Sequence, residues 1–246
     1  MEWYIDFGVN TKIWDGDLTM MHRKRVLLVA GVCGAILGAA LVQFHIIPSI
    51  PALALDRALL SHQPILLACL ALWALFSIYW EKAAKSASAA KISESQASRG
   101  LHVFLVNAAL LLEIVPIRGL SRFLPASSII MAAGLAVEAV GLILAVWARR
   151  HLGRNWSGEI TIKVEHQLIR SGPYRLLRHP IYTGLLAMYA GLALVTGEWL
   201  AVIGLAMVAF AYWRKIRLEE ANLGVAFGTD YDAYRRTTWA LVPGLF

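Results

Sequence analysis

The sequence predicts an all-α, polytopic membrane bundle of about five to six transmembrane helices, the last two forming a helical hairpin. Composition comes first. Hydrophobic residues make up 59% of the 246 positions and charged residues only 16%, with a mean hydropathy of +0.60. A soluble domain carries roughly a quarter charged residues. The second observation is a series of long apolar runs, and the third is the one-sided distribution of Lys and Arg between them.

The runs lie at Val26–Ile47, Pro64–Trp80, Leu101–Val115, Ala126–Ala148, Ile181–Thr196 and Trp199–Trp213. A helix of ~20 apolar residues crosses the ~30 Å hydrocarbon core. The first and fourth runs meet that length comfortably. The last two are short, so they either cross with help from neighbours or form a hairpin sheltered by protein. If all six cross, one side holds every Lys and Arg of the 23 except Arg57, Arg118 and Arg122. By the positive-inside rule both termini and the loop between the fourth and fifth runs are cytoplasmic. This topology, with attraction to anionic headgroups, accounts for the net charge of +7 without a nucleic-acid partner. Cys33 and Cys69 both fall inside apolar runs, which argues against a disulfide scaffold or a metal cluster. No cleavable leader is expected, because the first run is too long for a signal-peptide core.

The chain divides unequally. Residues 1–125 read as an N-terminal set of transmembrane helices, with a polar connector at Glu81–Gly100. Residues 126–246 read as a functional core: one span, a cytoplasmic loop rich in Trp, Tyr, Ile and Val, the hairpin and an amphipathic tail. An ordered loop of this length is usually functional.

Inside that loop, Gly172 to Gly184 forms a basic, aromatic, histidine-bearing stretch running into an apolar helix. His179 precedes Pro180 and is therefore biased away from helical geometry, while Pro180 suits the first helical position. The helix start, with Arg178 and His179 beside it, offers free N–H groups and a partial positive charge to a small anion. The alternative is that Arg178 and His179 only snorkel at the interface. Gly184 and Gly191, seven residues apart, permit close helix approach.

Arg214-Lys215-Ile216-Arg217-Leu218-Glu219-Glu220 follows the last run. It is either a solvated helix end with pairs at Lys215/Glu219 and Arg217/Glu220, or one wall of a pocket shared with the Pro180 helix start. A ligand bearing both a carboxylate and an ammonium would match that second polarity. Gly228 suits a helix stop, with Thr229 or Asp230 capping a new helix. That helix sets Tyr231 and Tyr234 on one face, as a lid or, more simply, as packing. Glu113 and Glu138 lie inside apolar runs as buried structural or substrate-facing groups.

Together these residues resemble the isoprenylcysteine carboxyl methyltransferase family and its phospholipid methyltransferase relatives, from about His151 to Pro243. The resemblance rests on the G-x-Y-x-x-x-R-H-P-x-Y-x-G core at Gly172–Gly184, Glu219-Glu220, the F-G-x-x-Y-x-x-Y at Phe227–Tyr234, and Pro243. The Leu-Gly-Arg-Asn-Trp-Ser run at 152–157 is similar to bacterial members. It implies a membrane enzyme using S-adenosylmethionine and no metal. Cofactor contacts would come from His166, Gln167, Leu168, Ile169, Tyr174, His179, Pro180, Ile181, Tyr182 and Glu219, with Glu159 a weaker match. Arg178 and Glu220 flank these in the same polar cluster. The substrate-side cation would be one of Arg214, Lys215 and Arg217, with Lys215 in the closest aligned slot.

A zwitterion fits the helix start opposite Glu219, and methyl transfer from a sulfonium to a carboxylate needs no general base. The expected acceptor is therefore the carboxylate of a lipophilic or lipidated substrate entering from the bilayer. The alternatives are a phospholipid amine, a small thiol, or an NADPH-dependent reductase of the sterol-reductase type.

Overall fold

The computed structural model describes residues 63–84, 95–114, 122–153 and 168–244. The run at Val26–Ile47, Cys33, Arg57, Arg118, Glu159, His166 and Gln167 lie outside them. The regular elements among the described residues are helical: α1 (Gln63–Ala84), α2 (Gln96–Ile114), α3 (Ser128–Leu152), a short 3₁₀ turn (Gly172–Arg175), α4 (Pro180–Thr196), α5 (Trp199–Phe227) and α6 (Thr229–Thr237). Four of them (α1, α2, α3 and α5) are long and apolar enough to cross a membrane. Helices are the only open-ended elements that satisfy every backbone group without water, so an apolar chain of this composition folds into them. The chain is a polytopic helical membrane protein, as its composition predicts.

The element boundaries follow local chemistry. The last turn of α3 carries Arg149 and Arg150, cations that complement the carbonyl end of the helix dipole. α4 starts at Pro180, with His179 in a non-helical conformation before it. It stops at Gly197, whose φ of 63° is left-handed. Residues Arg122–Leu124 close this end of the hairpin, with the N–H groups of Phe123 and Leu124 donating to the Gly197 carbonyl.

One arm of the hairpin meets expectation and the other does not. α4 has 17 residues and is sheltered rather than lipid-facing: Leu185, Met188, Tyr189, Leu192 and Val195 are all buried. α5 is not short. Its apolar run continues without a break through Arg214–Glu220, because Lys, Arg, Leu, Glu and Ala all favour helix, and it ends at Gly228 with φ 49°. Its 29 residues make a rod of ~43 Å. That exceeds the ~30 Å hydrocarbon core, so the polar turns project beyond it.

Packing is tightest between α3 and α4, and next between α2 and α5. Glycines make the first contact possible. A Cβ on Gly184 would sit 2.5 Å from the Gly141 carbonyl oxygen, and one on Gly191 would sit 2.5 Å from that of Gly134. Gly141 and Gly134 meet α4 backbone reciprocally, so four small residues bring the two helices to backbone contact. Trp73 packs edge-on against Tyr189 at 4.7 Å, and the Tyr189 hydroxyl donates to the Val106 carbonyl at 2.9 Å, tying α1 and α2 to the pair.

Gly191→Val should therefore lower the thermal midpoint of the purified protein strongly, with a cost of at least about 1–3 kcal/mol from overpacking. Gly224, whose Cβ would meet nothing within 4 Å, serves as the control. Gly224→Ala should leave the midpoint unchanged or raise it, since a helical glycine costs about 1 kcal/mol relative to alanine. Thermal unfolding in detergent, followed by circular dichroism, measures both.

Candidate functional site

The loop is folded before it reaches α4. Gly172 has φ 60° and lies against the His151 ring, which a Cβ would approach to 2.7 Å. The turn it opens buries Pro173 and Tyr174. Residues 176–179 then pair side by side with the tail: Trp239 N–H donates to Leu176, Arg178 N–H to Trp239, and His179 N–H to Ala240. Thr183 Oγ1 donates to the Leu241 carbonyl at 2.7 Å. The Tyr234 hydroxyl donates to the Tyr174 carbonyl at 2.7 Å. Tyr231 and Tyr234 are buried, so α6 is packed under the loop rather than free as a lid.

This tail closes a cluster of charge where α4 begins and the polar turns of α5 emerge. Arg178 Nε donates to Glu220 Oε1 at 2.8 Å, and its Nη1 reaches the carbonyls of Thr238 and Arg235. His179 lies between both carboxylates, with Nδ1 3.5 Å from Glu219 and Nε2 3.4 Å from Glu220. The Tyr182 hydroxyl donates to Glu219 Oε1. Arg235 stands 3.9 Å from Glu220. Burial alone would lower the pKa of His179, but hydrogen bonds and charge from Glu219 and Glu220 outweigh it and hold the ring above its ordinary 6.5. The cluster thus brings an imidazole, a guanidinium, two carboxyl groups and a helix N-terminus into one small volume.

The candidate residues divide clearly. Arg178, His179, Pro180, Ile181, Tyr182, Glu219 and Glu220 come together, with Tyr174 below them. Leu168 and Ile169 are half-buried at the edge of the described loop, and Ile169 packs on the core. Of the three cations, Arg214 is taken up by Ser98 on α2, through Nη1 to the hydroxyl and Nη2 to the carbonyl, both at 2.6 Å. Arg217 is exposed, and Lys215 is buried at 7% exposure one turn before Glu219. The cations that hold Glu220 come from the loop and tail, not from Arg217. Glu113 and Glu138 are buried on α2 and α3, Glu138 beside the Cys69 thiol of α1.

Sequence reading passed over one neighbour. Aromatic rings run from His179 to Tyr182 (5.7 Å), Tyr182 to Tyr212 (4.9 Å) and Tyr212 to His102 on α2 (5.5 Å). The only trace of this in sequence is a histidine at the start of an apolar run.

Comparison with known proteins bears on the same region. A family model described as phospholipid methyltransferase matches residues 129–230. A probable protein-S-isoprenylcysteine O-methyltransferase of Oryza sativa subsp. indica is 31% identical over 113 residues, covering 45% of this chain and 59% of the relative. The cobalt-zinc-cadmium resistance protein CzcN of Cupriavidus metallidurans is 39% identical over 114 residues, covering 45% and 50%. A solved structure titled as the eukaryotic intramembrane Ras methyltransferase ICMT aligns with a TM-score of 0.45 at 22% identity, covering 63% of this chain and 55% of that one. The chain spans little more than half the length of the curated relatives it matches. The resemblance drawn from the loop and the Glu pair is borne out over the C-terminal region.

Two outcomes follow from the cluster. Arg178→Ala leaves Glu220 buried without its main partner, and should destabilise the protein by about 3 kcal/mol, measured by thermal or chemical unfolding. The raised pKa of His179 means that its ion pairs stabilise the fold fully below about pH 6.5, and that this contribution is lost as pH rises through the raised value. The thermal midpoint of the wild type should fall over that alkaline range, and His179→Gln should flatten the dependence.

Proposed function

We propose that the chain is an S-adenosylmethionine-dependent membrane methyltransferase that acts on a lipophilic acceptor reaching the site from the bilayer. The observation that carries this reading is the meeting of the α4 start and His179 with Glu219 at the membrane edge, inside the segment matched by the methyltransferase family model. The amino-acid end of S-adenosylmethionine is a zwitterion. Its carboxylate suits the unpaired first-turn N–H groups of α4 and the positive His179, and its ammonium suits Glu219. Glu220, already held by Arg178, His179 and Arg235, fixes the loop against α5. Tyr174, Ile169, Leu168 and Ile181 supply apolar surface for the adenosine, with His166, Gln167 and Glu159 continuing the same loop. When bound, the sulfonium supplies an already activated methyl group.

The chain's own residues then bind, orient and exclude water. Lys215, buried one turn before Glu219, would hold an acceptor anion. Such a site suits a carboxylate, as in the isoprenylcysteine relatives, because a carboxylate attacks without losing a proton. A second reading, an amine or thiol acceptor, is favoured by His102 at the far end of the ring wall. In either reading residues 126–246 form the transfer core and residues 1–125 shape acceptor choice. Both termini and the loop lie in the cytoplasm.

Calorimetric titration of the purified protein with S-adenosylmethionine should show binding. His179→Ala and Glu219→Ala should each weaken it at least tenfold, the equivalent of about 1.4 kcal/mol. No binding by the wild type, or unchanged affinity in both variants, would sink the cofactor assignment.

A further inference from the structure

The ring wall that begins at His179 ends on a different helix, and its last member differs from the rest. His102 sits at the start of α2, tilted against Tyr212 at 5.5 Å, and Tyr212 in turn stacks on Tyr182. The Ala211 carbonyl lies within hydrogen-bonding reach of the ring. Its Nδ1 is buried, with no hydrogen-bond partner among the described residues. A neutral imidazole that donates from one nitrogen carries its lone pair on the other. A buried, unsatisfied polar atom costs stability, and a catalytic role is one of the few reasons a native structure keeps one. The groups acting on the ring from α5 are Lys215, Arg214, Glu219 and Tyr212, with Tyr182 of α4 behind Tyr212. Ser98, one turn earlier on α2, binds Arg214 and thereby fixes the spacing of α2 from α5.

We propose that His102 is a catalytic proton acceptor for a methyl acceptor whose nucleophile carries a proton, an amine or a thiol, held between α2 and α5 beside Lys215. The proposal rests on the methyltransferase reading above and extends it to a residue outside the segment matched by the family model. As the nucleophile's lone pair forms its bond to the methyl carbon, the sulfonium carbon–sulfur bond breaks and its electron pair returns to sulfur. The proton left on the nitrogen or sulfur passes to His102 Nδ1. From there it leaves to solvent at the exposed start of α2, where Ser95, Gln96 and Ala97 are open. A carboxylate acceptor would have no such proton to give, so its turnover would not depend on His102 in this way.

The test uses the full chain in lipid nanodiscs, labelled S-adenosylmethionine, and three acceptors: phosphatidylethanolamine, a long-chain alkyl thiol and a prenylcysteine. The wild type should methylate the amine or the thiol. His102→Gln should keep its calorimetric affinity for S-adenosylmethionine within about twofold, yet lose about 10²-fold in kcat on that acceptor. It should also lose the acidic limb of the kcat–pH profile. His102→Asn, a second neutral replacement, guards against a folding defect peculiar to one variant and should behave alike. Unchanged kcat in both variants would overturn the role of His102. So would a kcat loss with weakened S-adenosylmethionine affinity and an unaltered pH profile, or transfer to the prenylcysteine alone. Absence of S-adenosylmethionine binding by the wild type would instead overturn the methyltransferase reading, and this proposal with it.

Discussion

The backbone contact between α3 and α4 sets the position of everything that follows it in the chain. Gly134, Gly141, Gly184 and Gly191 let the two helices approach until carbonyl oxygens stand where a Cβ would otherwise be. In a bilayer no hydrophobic force favours one helix arrangement over another, so close packing of small residues carries the specificity. Because α4 is only 17 residues long and buried on most sides, this contact fixes its height as well as its rotation. The start of α4 is thereby held beside the polar turns of α5, with Pro180 at its first position and His179 just outside it. A larger residue at any of the four positions would move the polar loop relative to α5.

The second layer of order is electrostatic. Arg178 is bound by Glu220 on α5 and by two carbonyls of the tail, so one guanidinium joins three segments far apart in sequence. The geometry of a guanidinium, with several donors in a rigid fork, is suited to that task, and a lysine could not replace it. His179 is shared between Glu219 and Glu220, which favours its charged form and orients the ring. The buried charges are tolerated because they are mutually compensated and hydrogen-bonded. The tail at 238–241 completes the arrangement by satisfying the backbone of residues 176–179. A cluster so bound is pre-organised for a ligand of mixed charge, since little remains to be ordered when one arrives.

Much of this was legible in the chain. Composition and apolar runs gave the membrane bundle, Pro180 and Gly228 gave helix boundaries, and the Gly184/Gly191 spacing announced a close contact. The loop motif and the Glu pair pointed to one cluster, and His179, Tyr182 and Glu219 do meet. The length of α5 was underread, because an apolar-run criterion stops at the first cations although helix propensity does not. His102 was invisible for a different reason. A single histidine in an apolar segment has no local pattern, and only the packing of α2 on α5 reveals what it faces.

What the sequence determined by itself is therefore what depends on local chemistry: which segments are apolar, where helices begin and end, and which polar residues sit at their ends. These follow from transfer to hydrocarbon and from backbone geometry, both of which act over a few residues. The tertiary structure decided the partnerships. Arg178 with Glu220 and the tail, Arg214 with Ser98, Lys215 turned inward and Arg217 outward, and His102 at the end of the ring wall all depend on the rotation and height of helices about their axes. Those quantities are set by side-chain packing between segments distant in the chain, and short-range pattern carries no record of them.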